Sequence, residues 1–229
     1  MVSMKKVNNL KHGYTNQTTK IGKAAEKTYN GPGSANRWAT EVALLTYLNG
    51  KLPVPNLINA NIHGGIQTAW INGHHAQDLL QSDQGEVVMA ILGDLLRQLQ
   101  QISTEELVGK IPGNGNCLVH GDFGPQNLIL FQKSFQPAAL LDWEWAHLGS
   151  PVEDLAWVEW IMRMHHQNQL KYITVFFDHY GDLPAWSLRQ EAMILQCKRH
   201  LEFAHLEGRR KNIQIWQNRM VMTRRFKRL

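Results

Sequence analysis

The chain has 229 residues, 43% of them apolar, enough to bury one substantial core. No window approaches eighteen uninterrupted apolar residues and residues 1–10 lack a signal-peptide core, so neither a spanning helix nor secretion is expected, and the default setting is cytoplasmic. The two cysteines, Cys117 and Cys197, give neither metal-ligand spacing nor a disulfide framework. The net charge of +5 is uneven. Eight of the 24 Lys and Arg, and none of the 19 Asp and Glu, fall in residues 208–229, which leaves −3 on residues 1–207. A terminal basic run of this kind reads as a solvated helix face, so nucleic acid is not expected as a partner.

Along the chain, residues 7–11, 17–21 and 24–29 read as short strands, with a turn-rich Gly13-Tyr14-Thr15-Asn16 between the first two. Asn30-Gly31-Pro32-Gly33-Ser34 breaks this run. Trp38, Val42, Leu45 and Leu48 then repeat at helical spacing until Asn49-Gly50. Leu52-Pro53-Val54-Pro55 can be neither helix nor central strand. Residues 66–71, between Gly64-Gly65 and Asn72-Gly73, read as a strand entering a connector. A helical pattern follows through Leu80, Val87, Ile91, Leu95, Leu99 and Ile102, with a break near Ser82.

Residues 128–131 and 138–141 read as a hairpin, which would carry Asp142 back beside Asn127. Ser150, Pro151 and Glu153 mark a helix start of the capping-box type. Helical stretches at about 170–180 and 188–206 lead into the basic tail, where Ile213, Ile215, Trp216, Met220, Val221 and Phe226 could pack a last helix. Strands early and helices late point to an α+β fold.

The chemistry concentrates in H-G-D-F-G-P-Q-N, His120 to Asn127, followed fifteen residues later by Asp142 in L-L-D-W. Asp122 could accept a proton from an attacking hydroxyl. Asn127 and Asp142 offer the hard oxygen ligands that Mg²⁺ prefers, so the set suits phosphoryl transfer from a nucleotide. The H-x-D-x-x-x-x-N spacing is that of the protein-kinase catalytic loop. Asp122-Phe123-Gly124 spells D-F-G, but it lies inside that loop, so the metal carboxylate is expected at Asp142. No G-x-x-x-x-G-K-[ST] is present, which excludes a P-loop enzyme.

The segment from about 118 to 157 resembles the aminoglycoside phosphotransferase and choline kinase superfamily, whose hallmark is H-G-D-x-x-x-x-N followed by a strand ending in I/L-D-W. The resemblance implies a bilobal protein-kinase-like fold, with a strand-rich lobe over residues 1–73 and a mainly helical lobe over 74–229. It implies Asp122 as the base, a structural role for His120, and Asp154 as a brace beneath the loop. It matches Lys27 to the phosphate-binding strand lysine and Glu41 to its helical partner, with Lys20 and Lys23 as alternatives. Tyr14, Thr15 and Asn16 correspond to the phosphate-covering loop, for which a plain hairpin turn is the alternative reading, and Trp70 to the hinge beside the nucleotide.

The implied activity is transfer of the γ-phosphate of Mg-ATP, or of GTP, to a hydroxyl of a small molecule. An aminoglycoside-type antibiotic is the leading acceptor. Glu144 and Glu159 are the acceptor-binding candidates. From Leu140 onward, however, ten acidic residues face thirteen basic ones, so a choline-like amino alcohol, a sugar or a less basic antibiotic is the alternative. Only seven residues separate Asp142 from Ser150, too few for the activation segment of a protein kinase. A silent binding module is disfavoured because all three chemical residues are present. The recognisable chemistry ends before Leu155, so the tail beyond Glu207 is expected to be dispensable for catalysis.

Overall fold

A computed structural model of the chain describes residues 16–61 and 65–229. The expected strand at 7–11, and Gly13, Tyr14 and Thr15, lie outside them. Four antiparallel strands, β1 (Gln17–Ile21), β2 (Ala24–Thr28), β3 (Leu57–Asn61) and β4 (Gly65–Ala69), form a sheet in the order β1-β2-β4-β3. The β1–β2 connection is the two-residue Gly22-Lys23, with Gly22 at φ 63°, a conformation that tight hairpins require and glycine supplies at little cost. β4 opens at Gly65 (φ 92°), where an added Cβ would lie 2.0 Å from the carbonyl oxygen of Lys27. That approach holds β2, and with it Lys27, close against β4.

Helix α1 (Ser34–Leu48) buries Arg37, Thr40, Glu41, Leu44, Leu45 and Leu48. This is one face at three- and four-residue spacing, with its first turns polar and its last apolar. The apolar end joins the main core. The polar end meets the turn at Trp143–Trp145.

The remainder is mainly helical. β5 (His74–His75) starts it and α2 (Ala76–Leu80) follows, separated from α3 (Gly85–Gln100) at residues 81–84, where the break near Ser82 was expected. β6 (Cys117–Val119) pairs with β9 (His147–Gly149). β7 (Leu128–Leu130) and β8 (Pro137–Leu140) form the expected hairpin, with β5 along its edge. The hairpin closes with Leu141 N–H donating to the Asn127 carbonyl at 2.8 Å, so Asp142 returns beside Asn127. Helices α4 (Val152–His165), α5 (Ile173–Tyr180), α6 (Trp186–Glu207) and α7 (Arg210–Arg224) complete the chain. α3 packs on α5, and α6 packs between α4 and α7.

One core of Leu44, Leu48, Ile66, Leu92, Leu96, Leu128, Leu140, Phe176 and their neighbours runs without a break from α1 into α3 and α5. A second cluster of Trp157, Trp160, Ile161, Met193 and Cys197 lies under α7. The tail therefore differs from a solvated run. Its basic residues are mostly exposed, but Thr223 is fully buried and accepts from Trp160 Nε1 at 2.8 Å. Among the described residues no helix is long and apolar enough to cross a membrane.

The start of α4 shows half of the anticipated capping box. Glu153 Oε1 accepts from the Ser150 N–H at 2.9 Å, while Oε2 meets His147 Nε2 at 3.0 Å and Arg199 NH1. Burial pushes this carboxyl up, but His147, the Ser150 amide and Arg199 together hold it at about 2, below its ordinary 4.5. A carboxyl depressed by folding stabilises the fold above its ordinary range, and that contribution is lost as pH falls toward 2. Glu153→Gln should therefore lower stability by about 2 kcal/mol at pH 7, the usual worth of charge-assisted hydrogen bonds. The deficit should shrink progressively between pH 5 and 2 in paired urea melts. A deficit independent of pH would show that the charge of Glu153 is not what holds this corner.

Candidate active site

The strand β6 delivers the chain into His120-Gly121-Asp122. His120 is fully buried, and burial lowers its pKa to about 4, so the ring is neutral at physiological pH. Nε2 lies 2.9 Å from the Leu141 carbonyl and therefore carries the proton, which leaves Nδ1 to accept the Asp122 N–H at 3.3 Å. The ring also packs at 4.5 Å on Trp143. It ties the loop to the end of the hairpin, with both ring nitrogens engaged by backbone groups. Gly121 sits at φ 81°, with Trp145 O only 2.4 Å from where a Cβ would be, so only glycine allows the loop to pass here. From below, Asp154 accepts the His120 N–H at 2.7 Å and the Gly121 N–H at 3.0 Å, which is the bracing contact the sequence suggested.

Asp122 is held from two sides. Asn127 Nδ2 donates to its Oδ2 at 2.9 Å and to its backbone carbonyl at 2.8 Å, and Trp157 Nε1 donates to Oδ1 at 2.9 Å. Burial raises its pKa to about 7, with Asp142 and Glu144 adding repulsion and the Trp157 and Asn127 donors opposing them. A carboxylate in this range can both hold and release a proton near neutrality. Gln126 Nε2 also reaches Oδ1 at 3.3 Å, so Oδ2, bonded by Asn127, is the oxygen that keeps a lone pair for a further donor.

Asp142 ends the hairpin at φ 68°, one of two non-glycine residues at positive φ among those described. That conformation costs a non-glycine residue energy and tends to persist where the surroundings impose it. Here Lys27 Nζ from β2 bonds Asp142 Oδ1 and also Glu41 Oε2 of α1, the latter at 2.6 Å. Burial pulls the lysine down, but Asp142 and Glu41 raise it above its ordinary value, so it stays charged. Asp142 is in turn lowered by Lys27 against its own burial. Tyr29 donates to the same Glu41 oxygen at 2.6 Å. Of the three candidate lysines, Lys27 is the one in this cluster. Lys20 Nζ lies 4.3 Å from the centre of the Trp70 ring, and Lys23 is exposed.

Glu144 requires a correction. It is 3% exposed and lies beside Asp142 and Glu41, so it offers little open surface to an acceptor. Its Oε2 accepts from Arg37 NH1 at 2.7 Å and from Asn16 Nδ2 at 2.5 Å, while Oε1 is buried without a partner among the described residues. Glu41, Asp142 and Glu144 each bring a carboxylate oxygen within 4.8 Å of the others. Three carboxylates thus face two cations, Lys27 and Arg37. With an orphaned oxygen, this donor set fits a hard divalent cation.

Glu159 requires a second correction. It is fully buried in α4, bonded through Oε1 to Arg163 at 2.6 Å and through Oε2 to Arg189, so neither oxygen is available to an acceptor. A carboxylate in an apolar helix is stable there only because two guanidiniums reach it.

Asn16 joins the cleft through Glu144, and its Oδ1 accepts from Arg37 at 3.2 Å. Trp70 stands in the connector with its indole on Asn72 Oδ1 at 3.1 Å. Sequence reasoning missed Arg37, Tyr29 and Trp157. Arg37 precedes Glu41 by one helical turn and Trp157 follows Asp154 by one, so helical spacing could have placed both on the site-facing side.

Known proteins resemble this chain in part of its sequence and in its fold. The phosphotransferase enzyme family matches residues 110–192. The acyl-CoA dehydrogenase family member 11 proteins of Rattus norvegicus and Homo sapiens are each 42% identical over 60 residues, 25% of this chain and 8% of theirs, so the match spans less than a tenth of those relatives. An aminoglycoside 2′-phosphotransferase of type IIIa in complex with GDP superposes with a TM-score of 0.76 at 12% identity, over 97% of this chain and 93% of that one. A macrolide 2′-phosphotransferase from Brachybacterium faecium superposes with a TM-score of 0.67 at 16% identity, over 93% and 91%. The chain therefore has the bilobal kinase-like fold, and the resemblance to the aminoglycoside phosphotransferase and choline kinase superfamily read from its catalytic loop holds.

Proposed function

We propose that the chain is a small-molecule kinase that moves the γ-phosphoryl group of ATP, or alternatively GTP, to an acceptor hydroxyl. The observation that supports this most is that Lys27 bonds Asp142 and Asn127 bonds Asp122, while the Leu141 N–H to the Asn127 carbonyl sets the two pairs, from three separate stretches of sequence, side by side. Asn127 and Asp142 would hold Mg²⁺, with the orphaned Glu144 oxygen nearby, and the ion's charge when bound offsets that of the phosphates. Lys27, fixed by Glu41, donates to phosphate oxygens. Asn16, Tyr14 and Thr15 cover the phosphates, and Trp70 walls the nucleotide. Asp122 orients the acceptor hydroxyl and takes its proton as the new oxygen–phosphorus bond forms and the bond to the diphosphate leaving group breaks. A cytoplasmic setting, where ATP is held and thiols stay reduced, agrees with two buried, unpaired cysteines. Neither membrane nor nucleic acid has a part in this reading.

The acceptor is where the placement of side chains matters most. One structural neighbour is a kanamycin complex, and an aminoglycoside is the acceptor the resemblance suggests. Yet a polycation needs free carboxylates, and both candidates are already neutralised, Glu144 by Arg37 and Glu159 by Arg163 and Arg189. That observation favours a second reading, in which the acceptor is a neutral or weakly basic hydroxyl compound such as a sugar or a macrolide. Screening aminoglycosides, macrolides, amino alcohols and sugars for Mg-ATP-dependent phosphorylation decides between them. Aminoglycoside turnover at low micromolar KM would overturn the second reading, and no turnover on any class would overturn the kinase reading itself.

With a working acceptor, Asp122→Asn should cut kcat roughly 10²- to 10⁴-fold while nucleotide affinity changes little. Wild-type turnover in that variant would remove Asp122 from the mechanism. Lys27→Ala should weaken nucleotide binding more than Glu41→Ala, and the double variant should be barely worse than Lys27→Ala. Strictly additive losses in titrations with a non-hydrolysable analogue would show that the two do not act as a pair.

A further inference from the structure

The catalytic reading leaves the basic C-terminal helix without a part, and the aromatic residues of α4 supply one. Trp157 is 4% exposed, and its indole N–H is spent on Asp122 Oδ1 at 2.9 Å. Its ring is held by a stack that ends on α7. Trp160 lies parallel to it at 4.3 Å and 9°, and His200 of α6 covers it at 5.3 Å and 28°. Trp216 of α7 stacks on His200 at 4.2 Å and 7°, and on Trp160 at 5.8 Å. Arg219 caps the outer ring at 4.5 Å, and Thr223 receives the Trp160 indole. α6 also touches the catalytic loop directly, with Gln196 Nε2 donating to the Gly121 carbonyl at 2.7 Å.

We propose that Trp157 is a positioning residue for Asp122, and that α7, through Trp216, is the buttress that keeps its indole aimed at the carboxylate. The proposal rests on the kinase reading above. A carboxylate turns readily about its last torsion, which is broad and two-fold. Asn127 fixes one oxygen of Asp122, and a second directional donor on the other defines the plane in which a lone pair meets the acceptor hydroxyl. Gln126 Nε2 reaches the same Oδ1 at 3.3 Å, longer than the Trp157 contact and shared with the Asp122 carbonyl. An indole clamped between rings has few alternative orientations, so its N–H costs little to keep in place. The basic tail on this account is part of the catalytic apparatus, against the expectation that it is dispensable.

Trp157→Phe removes the N–H and keeps a ring in the stack. It should lower kcat roughly tenfold, the scale of one hydrogen bond to a charged group, with the nucleotide KM within about twofold of wild type. Trp216→Ala, far from any reacting atom, should lower kcat severalfold per folded molecule in the wild-type background and have little further effect in Trp157→Phe. An unchanged kcat in Trp157→Phe, or fully multiplicative losses in the pair, would overturn the proposal. A loss confined to melting temperature and active fraction would do the same, since it would mark a merely structural stack. One readout is independent of turnover. Of the eight tryptophan indole N–H signals, that of Trp157 should lie downfield in a ¹H–¹⁵N spectrum and move upfield in Asp122→Ala. A signal that stays put would sink the contact, whereas absence of turnover on every acceptor would sink the kinase reading and leave this result standing.

Discussion

The Lys27 ammonium joins three parts of the molecule by charge. It comes from β2, Glu41 from α1, and Asp142 from the end of the β7–β8 hairpin. The contact with Glu41 lies where water is scarce, with side-chain exposures of 11% for the lysine and 5% for the glutamate, whereas the Asp142 side chain is 33% exposed. A buried charge without a partner costs several kcal/mol, so each element constrains the others. A second bridge, Arg37 to Glu144, runs alongside and is equally buried. Together they close the cleft between the sheet and the helical part, with more carboxylates than cations inside it. Such an arrangement spends folding energy to hold charge in place, which is useful only if something charged is to be bound there.

The catalytic loop was the most legible part of the sequence because its chemistry is local. Asp122 and Asn127 lie within one turn, and a single hairpin brings Asp142 back, so spacing alone anticipates the closing bond between Leu141 and Asn127. Lys27 and Glu41 needed the resemblance as well, since nothing in a short strand distinguishes it from Lys20 or Lys23. Glu144 and Glu159 show where such reading fails. A glutamate near a catalytic motif looks available, and only the fold reveals that Arg189, thirty residues beyond Glu159, reaches it. The tail was legible in part, since its basic face and its apolar residues are both visible in the sequence. Its charge is visible as a run, whereas the burial of Thr223 and the stacking of Trp216 depend on contacts with α4 and α6.

These corrections bear on specificity more than on chemistry. The groups proposed for phosphoryl transfer sit on rigid elements and would serve any hydroxyl placed before Asp122. Discrimination among acceptors must come from the surface around them, and the two glutamates first considered for it, Glu144 and Glu159, are tied to arginines. Likeness of fold to antibiotic phosphotransferases thus leaves the acceptor open.

The account's central claim is that the Lys27–Asp142 cleft is a nucleotide site completed by a divalent cation. Calorimetric titration of the wild-type chain with a non-hydrolysable ATP analogue, with Mg²⁺ and then with excess chelator, tests it most directly. Binding with one-to-one stoichiometry that weakens at least tenfold on removal of Mg²⁺ is the expected result. Binding of equal strength without the cation, or none in its presence, would contradict the account.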